Sequence, residues 1–264
     1  MKNFYPEIFK RKSFHLFRNL RTKEPYKNSF SITKEEIDDI YKVFKTFSPL
    51  VSGIKVDILI AQNEQTTCKR DQEYCILFYS EKKDNYLQNI GFIGEQLDLY
   101  LASKNIGALW FGIGKTELQE YNGLDFVTMM AICKVPEDSF RKDMFKSKRK
   151  AIEEIWSGND YLEIANIIRF APSSCNTQPW KVREITQDGE KKLEVYRYRK
   201  EGKRGIMKAD RVVYQNLIDI GIFILFLAVV LDEKSCDYTI NVFNDNEKNE
   251  NELTLSAVFN LKEK

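Results

Sequence analysis

The chain has 264 residues, of which 43% are hydrophobic and 13% aromatic, enough for one large or two smaller folded domains. Its 41 lysines and arginines nearly balance its 39 aspartates and glutamates. The chain therefore has no general electrostatic field that would attract nucleic acids or membranes. Five cysteines without a CxxC pair and a single histidine argue against a disulfide framework, a cysteine-rich zinc site and most histidine-based metal or catalytic sites. This cysteine usage predicts a reducing, cytoplasmic location.

Neither a signal peptide nor a membrane span is predicted. The N-terminal segment MKNFYPEIFKRKSFHLF has no uninterrupted apolar region and no small-residue cleavage site. The most apolar run, Ile220–Leu231, lies between Asp219 and Asp232 and is shorter than the roughly 20 apolar residues that a bilayer requires. We interpret it as part of a core or interface helix.

The first half of the chain predicts a mixture of helices and strands. Ser31–Phe47 is expected to be helical, because Thr33 and Glu36 have the spacing of a capping box and apolar residues follow at helical intervals. The further predicted elements are strands at Ile54–Ile60 and Tyr74–Tyr79, a long helix at Asn85–Ser103, and strands at Ala108–Ile113 and Phe126–Val135. A charged connector, Arg141–Lys150, follows.

The second half repeats this order of elements. Its predicted elements are a helix at Tyr161–Phe170, strands at Trp180–Ile185 and Leu193–Tyr198, a long helix at Val212–Leu231, and strands near Tyr238–Phe243 and Leu253–Asn260. Equivalent positions lie about 123 to 130 residues apart, close to half the chain length, which is typical of a duplicated unit. We therefore predict an α+β protein with half-domains at 1–156 and 157–264, packed together as two subunits pack in a dimer.

The segment Ala171–Trp180, APSSCNTQPW, is the most distinctive polar stretch. Two prolines make it a rigid loop, and its side chains offer hydrogen bonds to a planar polar ligand. The polar candidates are Ser173, Ser174, Asn176 and Gln178. An ordinary polar turn has the same composition, so composition alone favours that simpler interpretation.

Basic residues gather in two places. Near the N-terminus, Arg11, Lys12, Ser13 and His15 lie within five positions, and an arginine with a serine hydroxyl suits a phosphate monoester. The alternative is a solvated basic patch. A second cluster, KSKRK at Lys146–Lys150, is interpreted as a solvated run or a further phosphate contact.

The sequence GIGKT at Gly112–Thr116 is not a P-loop. The first glycine of G-x-x-x-x-G-K-T would have to stand at position 109, where the chain has Leu109, and Gly107 is two residues too early. An NTPase is therefore excluded, although a glycine-containing turn after a strand still allows a close backbone approach to a ligand.

Three segments together resemble the nitroreductase family of FMN flavoproteins: RKSFHLF near the start, GALWFG at Gly107–Gly112 and APSSCNTQPW. In that family an Arg-Arg-Ser-x-Arg segment opens the chain, and a Pro-Ser-x-x-Asn-x-Gln-Pro-Trp segment follows the next helix. Family members are typically homodimers with FMN at the interface, where one subunit supplies the first motif and its partner the second.

In this chain each motif occurs only once. The place in the first half that corresponds to the loop reads FSPLVSGIKV (Phe47–Val56), and the start of the second half near Trp156–Asp160 has no Arg-Lys-Ser. The chain thus resembles the single-chain, tandem branch of the family, the TM nitroreductase type, in which a fused dimer keeps one complete flavin site. The resemblance implies a nitroreductase-like α+β fold that works as a monomer with an internal pseudo-dimer.

The resemblance also implies the residues that bind FMN. Lys12 and His15 depart from the arginines usual in the family. The FMN phosphate and ribityl end would be held by Arg11, Lys12, Ser13 and His15, with Arg149 as a further phosphate contact. The isoalloxazine would meet Pro172, Ser173, Ser174, Asn176 and Gln178, while Gly112 would allow backbone approach. No metal site and no essential acid–base side chain are expected.

The function implied by the resemblance is an FMN-dependent NAD(P)H oxidoreductase. The flavin would carry hydride or electrons in a ping-pong cycle from NAD(P)H to nitroaromatics, quinones or similar flat acceptors. Nucleic acids and membranes are not expected as partners. Two alternatives stay open: a non-catalytic flavin-binding or redox-sensing protein, and a scaffold that binds no flavin and in which the loop is merely a turn.

Overall fold

The computed structural model describes residues 4–187, 189–199, 202 and 205–262. The chain divides into two compact units. Unit 1 consists of Met1–Ser48, Gly53–Lys82 and Ile93–Met144, and unit 2 of Pro49–Ser52, Lys83–Phe92 and Phe145–Lys264. The longest segment of unit 2 begins at Phe145, and two short segments of the first half belong to this unit as well.

Unit 1 is built on an antiparallel sheet. The elements from its N-terminus onward are α1 (Tyr5–Lys10), α2 (Lys34–Phe44), β1 (Val56–Gln62), β2 (Tyr74–Ser80), α3 (Tyr86–Ser103), β3 (Ile106–Trp110), β4 (Glu120–Tyr121) and β5 (Leu124–Lys134). The strands lie in the order β1-β2-β5-β3, with β4 beside β5. Helix α3 begins in unit 2 and continues into unit 1 from Ile93.

Local signals in the sequence explain several of these elements. At the start of α2, Thr33 Oγ1 accepts from the Glu36 N–H (3.2 Å) and Glu36 Oε2 accepts from the Thr33 N–H (3.0 Å), which is the predicted capping box. In the core, the Trp110 ring stacks on Phe78 with centroids 5.5 Å apart. A Cβ at Gly94 would lie 2.4 Å from the Trp110 ring, so only glycine fits there.

Unit 2 has a second sheet around a long buried helix. Its further elements are α4 (Ile152–Ile155), β6 (Trp156–Ser157), α5 (Leu162–Ile168), β7 (Trp180–Gln187), β8 (Glu190–Tyr198), α6 (Ala209–Glu233), β9 (Tyr238–Val242) and β10 (Leu253–Leu261). The strands lie in the order β6-β7-β8-β10-β9. Strand β6 runs parallel to β7, while the other neighbours are antiparallel.

The two sheets share one strand order. With the two-residue strands β4 and β6 set aside, β1-β2-β5-β3 and β7-β8-β10-β9 both place the fourth strand between the second and the third. In both, a helix precedes the first strand and a long helix follows the second. The predicted mixture of helices and strands, and its repeated order, are therefore present.

Helix α6 is longer than the predicted apolar run. It is long and apolar enough to cross a membrane by length and composition, but 89% of its most apolar window is buried within the protein. The helix extends beyond the predicted bounds Val212–Leu231 at both ends, so that Asp219 and Asp232, which bound the apolar run, both lie inside it. Helix α6 crosses the first part of α3 at a very short distance. A Cβ at Gly221 of α6 would lie 1.9 Å from Gln88 O, and a Cβ at Gly91 of α3 would lie 2.0 Å from Ile218 O.

Candidate functional site

The first motif lies beside β3 in unit 1. The Phe14 N–H donates to Ala108 O (3.0 Å), and Ser13 forms an isolated parallel bridge with Ala108. A Cβ at Gly107 would lie 2.8 Å from the Phe14 ring, so glycine permits this approach. The structure thus brings the N-terminal basic segment together with the start of the Gly107–Gly112 passage.

The Arg11 guanidinium points into the interior of unit 1, and its residue is only 1% exposed. Nε donates to Asp98 Oδ2 (2.9 Å), and Nη2 lies 2.8 Å from the same oxygen and donates to Ser13 Oγ (3.2 Å). Glu95 Oε1 lies 3.5 Å from Nε. In this structure two buried carboxyl groups surround the Arg11 guanidinium, which orients Ser13. The expected contact of Arg11 with an FMN phosphate stays a prediction.

Burial dominates the protonation of this cluster. It raises the pKa of Glu95 well above its ordinary value, and the neighbouring Asp98 raises it further. Burial also raises the pKa of Asp98, although Arg11 opposes the shift. The Trp110 Nε1–H donates to Glu95 Oε2 (3.0 Å). One cation facing two buried carboxyl groups favours a proton on Glu95.

Lys12, Ser13 and His15 line a cavity of about 680 Å³ in unit 1. Lys12 Nζ donates to Ser139 O (2.8 Å), while burial and the nearby Arg141 lower the pKa of Lys12. Further cations in the lining are Arg18, Arg21 and Lys142. Arg18 is paired with Asp71 (2.6 Å), and Asp138 is the acidic residue of the lining. The cavity has a cationic character that suits an anionic ligand.

Gly112 and Arg149 lie in different units of the structure. Gly112 is exposed in the turn after β3. Arg149 lies in unit 2, where Nη2 donates to Phe170 O (3.2 Å) and the guanidinium lies over the Phe170 ring at 5.8 Å. Arg149 thereby lies at the end of α5, directly before the APSSCNTQPW loop.

The loop itself has an unusual backbone. Its short 3-10 turn, Ser174–Asn176, contains Cys175 with φ 51°, followed by Asn176 with φ 54° and, two residues later, Gln178 with φ 47°. Left-handed backbone is uncommon for residues other than glycine. Cys175 and Asn176 are exposed, whereas Trp180 is buried and stacks on Phe223 at 4.6 Å. The loop is thus anchored at its end and open at its centre.

The loop side chains bind other parts of unit 2. Gln178 is 3% exposed, and its Oε1 accepts from the Lys150 N–H (2.9 Å). The Gln178 N–H donates to Ser173 Oγ (3.0 Å), and Asn176 Nδ2 donates to Lys148 O (3.3 Å). The Gln178 side chain is thus held by an internal hydrogen bond, and its expected flavin contact stays a prediction. The loop and the Lys148–Lys150 segment that contains Arg149 come together.

Asp219 of α6 lies buried beneath this loop. Its Oδ1 accepts from both the Ser174 N–H (3.0 Å) and the Ser174 Oγ–H (3.1 Å), and its Oδ2 accepts from Asn216 Nδ2 (3.1 Å). Burial raises the pKa of Asp219 to about 7, although the hydrogen bond from the Ser174 backbone and those from neighbouring side chains oppose the shift. Asn216 Nδ2 also donates to Thr177 Oγ1 (3.1 Å).

A cavity of about 510 Å³ opens beside the loop in unit 2. Asn176, Thr177, Lys150, Lys181 and Tyr198 are among its lining residues. Glu153 and Glu154 also line it and balance the charge of the two lysines. The lining therefore offers hydrogen-bond donors and acceptors and an aromatic surface, which suit a planar ligand with polar edges.

Sequence reasoning did not identify Glu95, Asp98 or Asp219. A weak signal existed for each, since a carboxyl group within an otherwise apolar helix needs a buried partner or a proton. Asp98 lies 87 residues from Arg11 and Asp219 lies 45 residues from Ser174, so nothing local in the sequence links the pairs.

One family model matches most of this chain. The sequence profile described as "Putative TM nitroreductase" matches residues 3–229. A crystal structure titled as a putative nitroreductase from Thermotoga maritima MSB8 is similar, with a TM-score of 0.57 and 16% sequence identity over 98% of this chain and 93% of that chain. At this identity the similarity establishes the fold alone. No curated protein matches the chain. Because the profile covers most of the chain, the protein belongs to the TM nitroreductase family.

Proposed function

We propose that this protein is an FMN-dependent NAD(P)H oxidoreductase of the nitroreductase type, acting on nitroaromatics, quinones or similar flat acceptors. The observation that carries the proposal is the family match over residues 3–229, which includes both the N-terminal basic motif and the APSSCNTQPW loop. Membership of a nitroreductase family implies an oxidoreductase. A cytoplasmic location is part of the same proposal.

The donor set of unit 1 fits the phosphate end of FMN. The cavity lined by Lys12, Ser13 and His15 is cationic, and its volume of about 680 Å³ lies in the ordinary range of ligand pockets. Lys12, Arg21 and Lys142 supply charge for a phosphate, and Ser13 supplies a hydroxyl. Arg11 would act indirectly, by holding Ser13 through Nη2.

The donor set of unit 2 fits the ring end. Asn176 offers both a donor and an acceptor to the uracil-like edge of an isoalloxazine, while Pro172, Ser173 and Ser174 give the loop its shape. Bound FMN would supply hydride and electron transfer between NAD(P)H and the acceptor. The chain's own residues would bind and orient the ring, and Lys150 and Arg149 would supply positive charge nearby.

We further propose that one chain makes one flavin site. Each motif occurs once in the sequence, so a second complete set of contacts is not available. The shared strand order of the two sheets supports descent from a duplicated unit, as does the reciprocal close approach of Gly91 and Gly221. On this proposal the working unit is a monomer that contains an internal pseudo-dimer.

The test is flavin content followed by reduction. Purified protein should be yellow and carry about one FMN per chain, and Lys12→Met and Asn176→Ala should each weaken FMN binding. A colourless protein that does not take up added FMN would contradict the flavoprotein proposal. Two tightly bound flavins per chain would contradict the single site.

A non-catalytic flavin-binding or redox-sensing role is the second candidate. The observation that favours it is the pairing of Arg11 with Asp98, which removes a cation that the family pattern would place at the phosphate. Anaerobic addition of NADH or NADPH distinguishes the two functions. Bleaching of the flavin and its recovery with a quinone would support turnover, whereas unchanged absorbance would support the second candidate.

A further inference from the structure

The APSSCNTQPW loop has a conformation that needs external support. Cys175, Asn176 and Gln178 all have left-handed backbone. For residues with a side chain, this conformation costs about 1–2 kcal/mol each, with asparagine the most tolerant. Such a segment keeps its shape only where surrounding contacts determine it.

Asp219 supplies the strongest of those contacts. One carboxylate oxygen accepts from both the backbone N–H and the hydroxyl of Ser174, at 3.0 and 3.1 Å. The other oxygen binds Asn216, which in turn donates to Thr177 at 3.1 Å. Asp219 thus holds the residues before and after the exposed pair Cys175 and Asn176. With Asp219 only 2% exposed, water cannot easily replace it.

The support that Asp219 gives differs from ordinary core packing. The residue lies in α6, whose neighbouring positions from Ile220 to Leu231 are apolar and buried. A carboxyl group in that setting is costly unless it is hydrogen-bonded or protonated. An apolar residue would fill the same place at lower cost but would leave the Ser174 N–H without its acceptor. The loop, rather than the helix, therefore benefits from the carboxyl group.

We propose that Asp219 is a positioning residue, which holds Ser174 and through it the Cys175–Gln178 turn, with its three left-handed residues, in the conformation that the ligand site uses. The identity of the ligand as FMN rests on the proposed function. The control of the loop by Asp219 does not depend on it.

Hydrogen exchange of the protein without flavin tests the loop directly. At pH 8, where Asp219 is ionised, Asp219→Asn should speed amide exchange in residues 174–178 about tenfold, because a charge-assisted hydrogen bond is replaced by a weaker one. Asp232→Asn is the matched control, since it makes the same change in the same helix, where Asp232 accepts from Tyr238 OH instead of the loop (2.8 Å). It should leave residues 174–178 unchanged.

Two results would overturn the assignment. One is unchanged exchange of residues 174–178 in Asp219→Asn. The other is an equal acceleration across residues 220–231, which would indicate general loosening of unit 2. If Asp219→Asn does not fold, Ser174→Ala removes only the hydroxyl partner, and several-fold faster exchange of the turn is then expected. Unchanged exchange in that variant would also overturn the proposal.

An FMN titration connects the loop to the ligand. Asp219→Asn should bind added FMN about tenfold more weakly, in step with its exchange rates, while Asp232→Asn should match the wild type. A loosened turn with unchanged FMN affinity would overturn the role of Asp219 at the site. If the wild type binds no FMN, the proposed function fails, and the exchange measurement alone decides whether Asp219 positions the loop.

Discussion

Arg11 faces two buried carboxyl groups, and this arrangement decides what the residue can do. Burial by itself lowers the pKa of Arg11, but Asp98 and Glu95 outweigh it, so the pKa lies above its ordinary value. The guanidinium is therefore a permanent buried cation whose charge is already compensated. Reaching an external phosphate would leave the buried Asp98 carboxylate without its counter-ion inside unit 1.

We expect Arg11→Met to destabilise the protein by about 3–5 kcal/mol, because it leaves buried carboxyl groups without a cation. Urea unfolding at pH 7.5 measures the change. Lys42→Met is the control, since its pair with Asp39 is exposed and should contribute little. An Arg11→Met protein that is as stable as the wild type but has lost FMN binding would instead support the direct phosphate contact.

The raised pKa of Asp219 predicts that the stability of the protein depends on pH. Its pKa is raised to about 7 in the native state, whereas an unfolded aspartate has a pKa near 3.9. Between these pKa values the native state binds more protons than the unfolded state. The contribution of Asp219 to the free energy of unfolding therefore falls as the pH rises from about 4 to 7. Asp219→Asn removes the contribution.

The measurement is the free energy of unfolding at pH 5 and pH 8 for both proteins. The stability of the wild type relative to Asp219→Asn should decrease by about 3 kcal/mol over this range, at roughly 1.4 kcal/mol for each pH unit below the native pKa. Comparing the two proteins cancels the other titrating groups, Glu95 and Asp98 among them. A relative stability that stays constant or increases with pH would contradict the raised pKa.

At the scale of elements, the crossing of α3 and α6 is the most demanding contact. A Cβ at Gly91 would lie 2.0 Å from Ile218 O, and a Cβ at Gly221 would lie 1.9 Å from Gln88 O. Both neighbours are backbone atoms, so neither can turn away as a side chain would. The helices approach so closely because each has a glycine where it faces the other.

Gly91→Ala and Gly221→Ala should therefore each destabilise the protein by about 3 kcal/mol, despite the better helix propensity of alanine. Urea unfolding provides the measurement, with Ser103→Ala at the exposed end of α3 as a control of small effect. If either glycine variant were more stable than the wild type, helix propensity would outweigh the crossing, and the close approach would be wrong.

The elements that could be predicted are those with a strong local pattern. The capping box of α2, the alternating sequence at Ile54–Ile60 that predicts β1, and the apolar length of α6 each depend on residues near one another in the chain. The short elements α1, α4 and β6 were not predicted, because segments of two to six residues carry too little periodicity. Strand neighbours such as β8 and β10 are separated by the whole of α6, so their pairing had no local signal.

The residues of the candidate site divide in the same way. The APSSCNTQPW loop and the Arg11–Ser13 motif could be found because their residue types follow each other directly in the sequence. The internal contacts of Arg11 and Gln178 could not be found in this way, because their partners Asp98 and Lys150 lie 87 and 28 residues away in the chain. Burial decides these contacts: a buried cation or amide takes the internal partner that compensates it.

At the scale of the whole molecule, the proposed single site predicts a mass. Because the family's two motifs occur once each in one chain, the flavin-bearing species should be a monomer of 31.1 kDa. Light scattering on an eluting size-exclusion peak, with absorbance near 450 nm recorded together, measures mass and flavin in the same species. One FMN per 31.1 kDa monomer is the expected result.

The alternative arrangement would need a second chain for every site. A peak of twice the monomer mass that holds all the flavin, next to a flavin-free monomer, would contradict the internal pseudo-dimer. The comparison is decisive because dilution affects only one of the two arrangements. A site made by two chains loses flavin as the dimer dissociates, by mass action, whereas a site within one chain keeps the same ratio of flavin to protein wherever FMN stays above its dissociation constant.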